Sequence, residues 1–195
     1  MAKVAVFGLD LEDWYHLDYI KNYNQKTAQF SMLDGFDNYI NIFNSYNIKS
    51  TLFVVGEIAQ NLKIKLRDCS NSNFEIASHS FTHRRPLLIS KSDFKEEVVS
   101  SKKILEDIVQ KKIKGFRAPC FSMNREYLQI LIDQNYLYDS SKISFKSHPL
   151  YGDLHLNDFE IKQNNIYQLK NFIEFEIPTY KTILSRLPFS GGGYL

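Results

Sequence analysis

Phe74-Glu75-Ile76-Ala77-Ser78-His79-Ser80-Phe81-Thr82-His83 sets a short apolar segment directly against two histidines four residues apart. Phe74 to Ala77 reads as a brief strand, and the polar residues after it read as a turn or loop. The same grammar recurs along the chain. Upstream, Val4 to Leu9 is a buried-type strand ending at Asp10-Leu11-Glu12-Asp13, and Ser50 to Val55 is a β-branched, apolar strand closed by Gly56. Downstream, Ile113 to Phe116 leads into Arg117-Ala118-Pro119, and Tyr136-Leu137-Tyr138 ends at Asp139-Ser140-Ser141. Helical patterns lie between these strands. Phe36, Tyr39, Ile40 and Phe43 recur at helical spacing within Phe36 to Tyr46, and a second helix begins near Glu57. Ser90-Lys91-Ser92-Asp93 suits a helix start, and the segment after it puts Phe94, Val98, Ser101, Leu105 and Ile108 on one face. Asn124 to Gln134 reads as another helix. Strands alternating with helices are the sequence form of a parallel β/α architecture, in which chemistry gathers at the carboxyl ends of the strands. The acidic cluster, the histidine pair, Arg117 and Asp139 are therefore expected at one mouth.

After Ser147 the alternation weakens. His148 to Gln168 reads as loop with a hairpin, and Phe172 to Ile177 alternates like a strand before Pro178. Ser190 to Leu195 is a glycine-rich loop. With 195 residues, one domain over 1–195 is expected. A hydrophobic share of 44% and a charged share of 24% are ordinary for a soluble globular chain. The formal charge of +2, on scattered lysines, argues against a nucleic-acid partner. The 15 Phe and 12 Tyr are read first as core packing. Cys69 and Cys120 form no CxxC pair, so neither a thiolate metal site nor a disulfide framework is expected. The first apolar run is too short for a signal peptide or a membrane span, and no later segment approaches a spanning length. A cytoplasmic location is the expectation, and the chain is compatible with a homo-oligomer.

The chemistry-bearing residues form a set. His79 and His83 can point at one ion if the segment turns, although an HxxxH spacing also arises from two unrelated histidines. On an extended backbone Asp10 and Glu12 project to the same side, whereas Asp13 points away or begins the turn. One carboxylate can then ligate a metal while another acts as base; the plainer reading is a solvated strand end. Metal-assisted hydrolysis needs this combination of ligands, an open position for water and a base. Arg117 is a natural partner for a buried carboxylate, and Asp139 could hold Arg117 or a ligand histidine; a surface ion pair and a turn residue are the plainer readings.

Together these motifs resemble the polysaccharide deacetylase family, carbohydrate esterase family 4, with its NodB homology domain. Asp10-Leu11-Glu12-Asp13-Trp14-Tyr15-His16 resembles the opening of the branch associated with exopolysaccharide and O-antigen products. His79 to His83 matches the family's His-Ser/Thr-x-x-His, Arg117-Ala118-Pro119 its Arg-x-Pro, and Asp139-Ser140-Ser141 its fourth motif. Thr51 to Gly56 resembles the strand between the first two motifs, and Pro188 to Tyr194 a glycine-rich stretch of the same branch. The resemblance implies a distorted (β/α) barrel of the NodB type that lacks its C-terminal part. It implies removal of acetate from an N-acetylated sugar, a carbohydrate substrate used in surface-polysaccharide biosynthesis. A divalent metal, Zn2+ first, would be held by His79, His83 and either Glu12, favoured by strand geometry, or Asp13. Asp10 would be the base, kept ionised by Arg117, with Asp139 in support. Trp14, Pro119, Cys120 and Phe121 would line the substrate, and a backbone N–H at Cys120 or Phe121 would meet the oxyanion. Two departures stand out. The usual Thr-Phe-Asp-Asp-Gly is absent, and so is the late Leu-x-x-His motif whose histidine protonates the departing amine; His148 is a substitute donor, with an ordinary loop histidine the simpler reading. A non-catalytic sugar- or metal-binding remnant of the fold is the alternative.

Overall fold

The computed structural model describes residues 6–17, 31–144, 149–181 and 186–188. The expectations placed on Val4 and Ala5, on His148 and on the glycine-rich Ser190 to Leu195 lie outside the described residues. The fold is mixed α/β. It divides into two compact units, Met1–His83 with Ser100–Ile113, and Arg84–Val99 with Lys114–Leu195.

In the first unit three strands run parallel: β1 (Phe7–Leu11), β2 (Ser50–Val54) and β3 (Phe74–Ser78). The pairing puts Leu11 beside Val54 and Val54 beside Ser78, so the three carboxyl ends finish level. Helices α1 (Phe36–Ser45), α2 (Gly56–Ala59) and α3 (Lys63–Ser70) make the connections. β2 is flanked by a strand on each side and buries Leu52, Phe53 and Val54. Tyr39 stacks on Phe43 with centroids 4.1 Å apart, and Phe7 and Phe74 pack on Phe43. Here the buried-type reading of the first strand is corrected. β1 ends at Leu11, two residues later than expected, and Phe7 is 44% exposed. Among the described residues of this unit it pairs on one side only, with β2. Its burial rises toward Leu11, so the acids stand where the strand enters the core.

Helix α4 (Lys91–Val109) has its first half in the second unit and its second half in the first. All five residues assigned to its inner face are buried. Phe94 packs edge-on to Phe116 within the second unit, whereas Ser101 bonds Ser78 at 2.7 Å within the first. The second unit adds β4 (Gly115–Phe116), α5 (Arg125–Asp133), β5 (Tyr138–Asp139), β6 (Glu160–Gln163), β7 (Ile166–Leu169) and β8 (Phe172–Phe175). β4, β5 and β8 pair in parallel; β7 and then β6 follow antiparallel. The β6–β7 hairpin turns at Asn165, whose φ of 64° lies in the left-handed region that asparagine tolerates. A separate antiparallel pair joins β9 (Thr179–Lys181) and β10 (Arg186–Pro188). β4 and β5 are shorter than the sequence suggests. Leu137 and Tyr138 both donate to the Lys114 carbonyl, an irregular approach that leaves only two paired rungs. Gly115 is required there, because a Cβ would fall 2.0 Å from the Tyr138 ring. No described helix is long and apolar enough to cross a membrane.

Candidate metal centre

The loop after β3 is shaped by backbone bonds. His79 N–H donates to the Val54 carbonyl at 2.9 Å, and Gly56 and Glu57 donate to the Ser80 and Phe81 carbonyls. The start of α2 thus holds the histidine loop against the end of β2. Ser80 and His83 adopt φ values of 68° and 58°, a left-handed pair that reverses the chain and returns the second ring toward the first. Their ring centroids lie 4.9 Å apart, and each side chain is about 2% exposed. Gly56 permits the approach: a Cβ would stand 2.6 Å from the Phe81 ring and 3.1 Å from Phe81 Cα.

The end of β1 supplies the acids. Glu12 Oε2 lies 2.7 Å from His83 Nε2, and Asp10 Oδ2 lies 3.9 Å from His79 Nε2. Glu12, His79 and His83 each offer one ligand atom, all within 4.8 Å of one another. Tetrahedral ligands bonded to one zinc at about 2.0–2.1 Å stand about 3.3 Å apart, so the Glu12–His83 pair would open slightly around an ion, within reach of side-chain rotation. The histidine tautomer tests the fit. His83 Nδ1 is 3.0 Å from the His16 carbonyl, which can only accept, so the ring proton of the neutral form sits on Nδ1. Its Nε2 then presents a lone pair to Glu12 Oε2, a buried oxygen with no hydrogen-bond partner. Two acceptors 2.7 Å apart call for a cation or a proton between them. The donor set, one carboxylate oxygen and two imidazoles, fits a divalent metal ion.

Asp13, the rival ligand, is engaged elsewhere. Its Oδ1 accepts from Trp14 N–H at 2.8 Å and Met32 N–H at 2.9 Å, and its Oδ2 from the Ser31 hydroxyl at 2.7 Å. Asp13 caps the 3-10 turn Trp14–His16, which His16 closes by accepting the Asp13 N–H on Nδ1 at 2.8 Å. Asp13 is thus placed as a helix cap: three donors bond its carboxylate, and it is not among the three groups whose ligand atoms come together. Burial, followed by the nearness of His83, lowers the pKa of His16. Trp14 is half-buried on the same turn.

In the second unit Arg117 is 9% exposed and donates through Nε to the Ser140 carbonyl at 3.2 Å and through Nη2 to the Ser140 hydroxyl at 3.1 Å. Asp139 is fully buried, accepts from the Ser141 hydroxyl at 2.6 Å, and is a neighbour of the Glu174 carboxyl. Glu174 Oε1 accepts from the N–H groups of Ser141 and Lys142, while Glu174 Oε2 and Asp139 Oδ2 find no donor among the described residues. Two carboxyls can hydrogen-bond each other only through a shared proton. Burial pushes Asp139 up to about 6, against the opposing pull of Ser141 and, more weakly, Arg117. Burial, then the Asp139 charge, raises Glu174 well above the usual range. Glu174 was missed in the sequence, yet β8 gave a signal: strand alternation puts it on the same face as buried Phe172. Pro119 opens a 3-10 turn in which Cys120 and Phe121 take φ values of 53° and 50°. Phe121 N–H already donates to the Ala118 carbonyl at 2.9 Å, which removes it as an oxyanion donor.

Residues 17–138, more than half of the chain, match the family model described as polysaccharide deacetylase. The chain belongs to the polysaccharide deacetylase family. The matched segment takes in both histidines and Arg117 and begins just past Asp10 to His16. Among the relatives of this deacetylase-family chain, a peptidoglycan deacetylase of Helicobacter pylori is 19% identical over 79% of the chain and 52% of its own length. A peptidoglycan-N-acetylglucosamine deacetylase of Bacillus cereus is 20% identical over 59% of the chain and 44% of its own. The chain thus spans about half the length of these curated relatives. A candidate polysaccharide deacetylase of Mycobacterium smegmatis superposes with a TM-score of 0.65 at 19% identity, covering 96% of the chain and 64% of that structure. A carbohydrate esterase family 4 pseudoenzyme of Bacillus anthracis gives 0.54 at 16% identity, covering 67% and 40%. These structures share the fold.

Proposed function

We propose that this chain is a metal-dependent hydrolase that removes the acetyl group from an N-acetylated saccharide. One observation carries the reading: Glu12, His79 and His83 converge on a single point, with Asp10 beside them. Glu12 Oε2, His79 and His83 Nε2 would hold a divalent ion, which when bound supplies Lewis-acid polarisation of water and of the amide carbonyl. Asp10 Oδ2 accepts the proton that the attacking water loses. The water oxygen joins the carbonyl carbon, the C–N bond breaks, acetate forms, and the departing nitrogen gains the proton that Asp10 took from the water. The substrate class is an acetylated amino sugar of surface-polysaccharide assembly, on the likeness of Asp10 to His16 to that branch.

The test couples metal analysis to acetate release from a panel of N-acetylated saccharides. His79→Ala is expected to lose the ion, having lost one of three ligands. Asp10→Asn is expected to keep it while turnover falls by about 10²–10⁴-fold, the usual worth of a positioned base. A metal-bearing wild type that releases no acetate from any of them would instead identify a non-catalytic binding module.

A further inference from the structure

Nothing about ligand chemistry explains why His83 carries its proton on Nδ1; the explanation lies in the turn before it in space. The His16 carbonyl that receives this proton ends the Trp14–His16 turn, and that turn is closed by two reciprocal bonds: Asp13 carboxylate to backbone, and Asp13 N–H to His16 Nδ1 at 2.8 Å. His16 Nδ1 stands 2.8 Å from the Asp13 N–H, which can only donate, and farther, 3.2 Å, from the Asp13 carbonyl; the closer contact makes Nδ1 the acceptor and leaves the proton of neutral His16 on Nε2, 3.7 Å from Glu57 Oε2. The Asp13 carboxylate is tied in turn to Ser31 and Met32, so the turn that carries the carbonyl is anchored to a second stretch of chain. His16 and Asp13 are both buried, and the His16 ring lies 5.9 Å from that of His83. His83 itself has a left-handed backbone, with φ 58°, and its ring Nδ1 meets the His16 carbonyl at 3.0 Å.

We propose that Asp13 and His16 are positioning residues of the metal centre: their capping box fixes the His16 carbonyl as acceptor of His83 Nδ1–H and so presents His83 Nε2, unprotonated, to the ion. The inference rests on the metal-site reading above and deepens it. Outer partners of this kind hold ligand orientation and tautomer, and their loss typically lowers metal affinity about 10- to 100-fold.

Zinc affinity by chelator competition, with long-range proton–nitrogen spectra of the histidine rings in metal-free protein, tests it without any activity measurement. The wild type is expected to show His83 as the Nδ1–H tautomer. His16→Ala and Asp13→Ala are expected to bind zinc about 10- to 100-fold more weakly and to show His83 as a mixture of tautomers. His16→Asn, whose amide oxygen can take the Asp13 N–H, restores both, a rescue that a general packing defect would not give. Zinc binding at wild-type strength in His16→Ala and Asp13→Ala, beside loss in His79→Ala, overturns the positioning role and leaves the site standing. Unchanged binding in His79→Ala overturns the site itself. If the alanine variants do not fold, the wild-type spectrum still decides, since a His83 protonated on Nε2 contradicts the proposal.

Discussion

At the scale of single residues, chemistry is set by which atoms are left facing each other without a donor. Glu12 Oε2 and His83 Nε2 are one such pair, and the oxygens of Asp139 and Glu174 are another. The second pair has a pH signature. Burial raises both acids, so the folded state holds their protons more tightly than the unfolded chain does. The sign follows: this contribution favours folding at low pH and is lost as pH rises from the ordinary carboxylate range, about 4, through about 6. Glu174→Gln replaces the shared proton with an amide donor and lets Asp139 ionise at ordinary pH. Denaturant unfolding across that window is expected to show a stability difference between variant and wild type that widens in favour of the variant as pH rises; a constant difference would contradict the shared proton. Asp10, Glu12, His79 and His83 were legible in the sequence because motif spacing and strand geometry both pointed to them. Strand geometry already favoured Glu12 over Asp13; the donors that engage Asp13, from Ser31 and Met32, lie outside any local pattern and needed the structure.

At the scale of elements, periodicity was the readable signal. The apolar spacing of α4 fixed all five inner residues, and α1 and α5 fall where their patterns place them. What periodicity could not give was irregular backbone. The Trp14–His16 turn, the left-handed Ser80 and His83, and the paired left-handed Cys120 and Phe121 all depend on bonds to distant segments. Strand β1 was misjudged because a run of apolar residues is equally consistent with one paired side or two. The contact between α2 and the histidine loop yields a prediction. Gly56→Ala would drive a methyl group against the Phe81 ring and backbone. Since Gly56 and Glu57 N–H groups hold the Ser80 and Phe81 carbonyls, the loop must shift. Lower thermal stability and weaker zinc binding are expected together, read by a melting curve and a competition titration. Loss of stability with unchanged zinc affinity would show that the loop does not depend on this contact.

At the scale of the whole molecule, the architecture brings candidate ligands from distant parts of the sequence to the level ends of parallel strands. β1 contributes the acid, and the loop after β3 contributes both imidazoles. An ion bound there ties these elements together in the folded state alone. Saturating zinc should therefore raise the unfolding free energy by about 2.7 kcal/mol at a hundred times Kd, with a matching loss on chelation. A melting temperature indifferent to zinc would mean that no folded-state site exists. The sequence motifs and the family match agree on the polysaccharide deacetylase family, and the site proposed for the reaction is the Glu12–His79–His83 cluster. X-ray absorption at the zinc edge of the loaded protein tests that claim most directly. The account predicts one zinc per chain with nitrogen and oxygen neighbours at about 2.0–2.1 Å, the outer-shell scattering of two imidazoles, and loss of this spectrum in His79→Ala. A sulfur shell at about 2.3 Å, or the same spectrum from the variant, would contradict it.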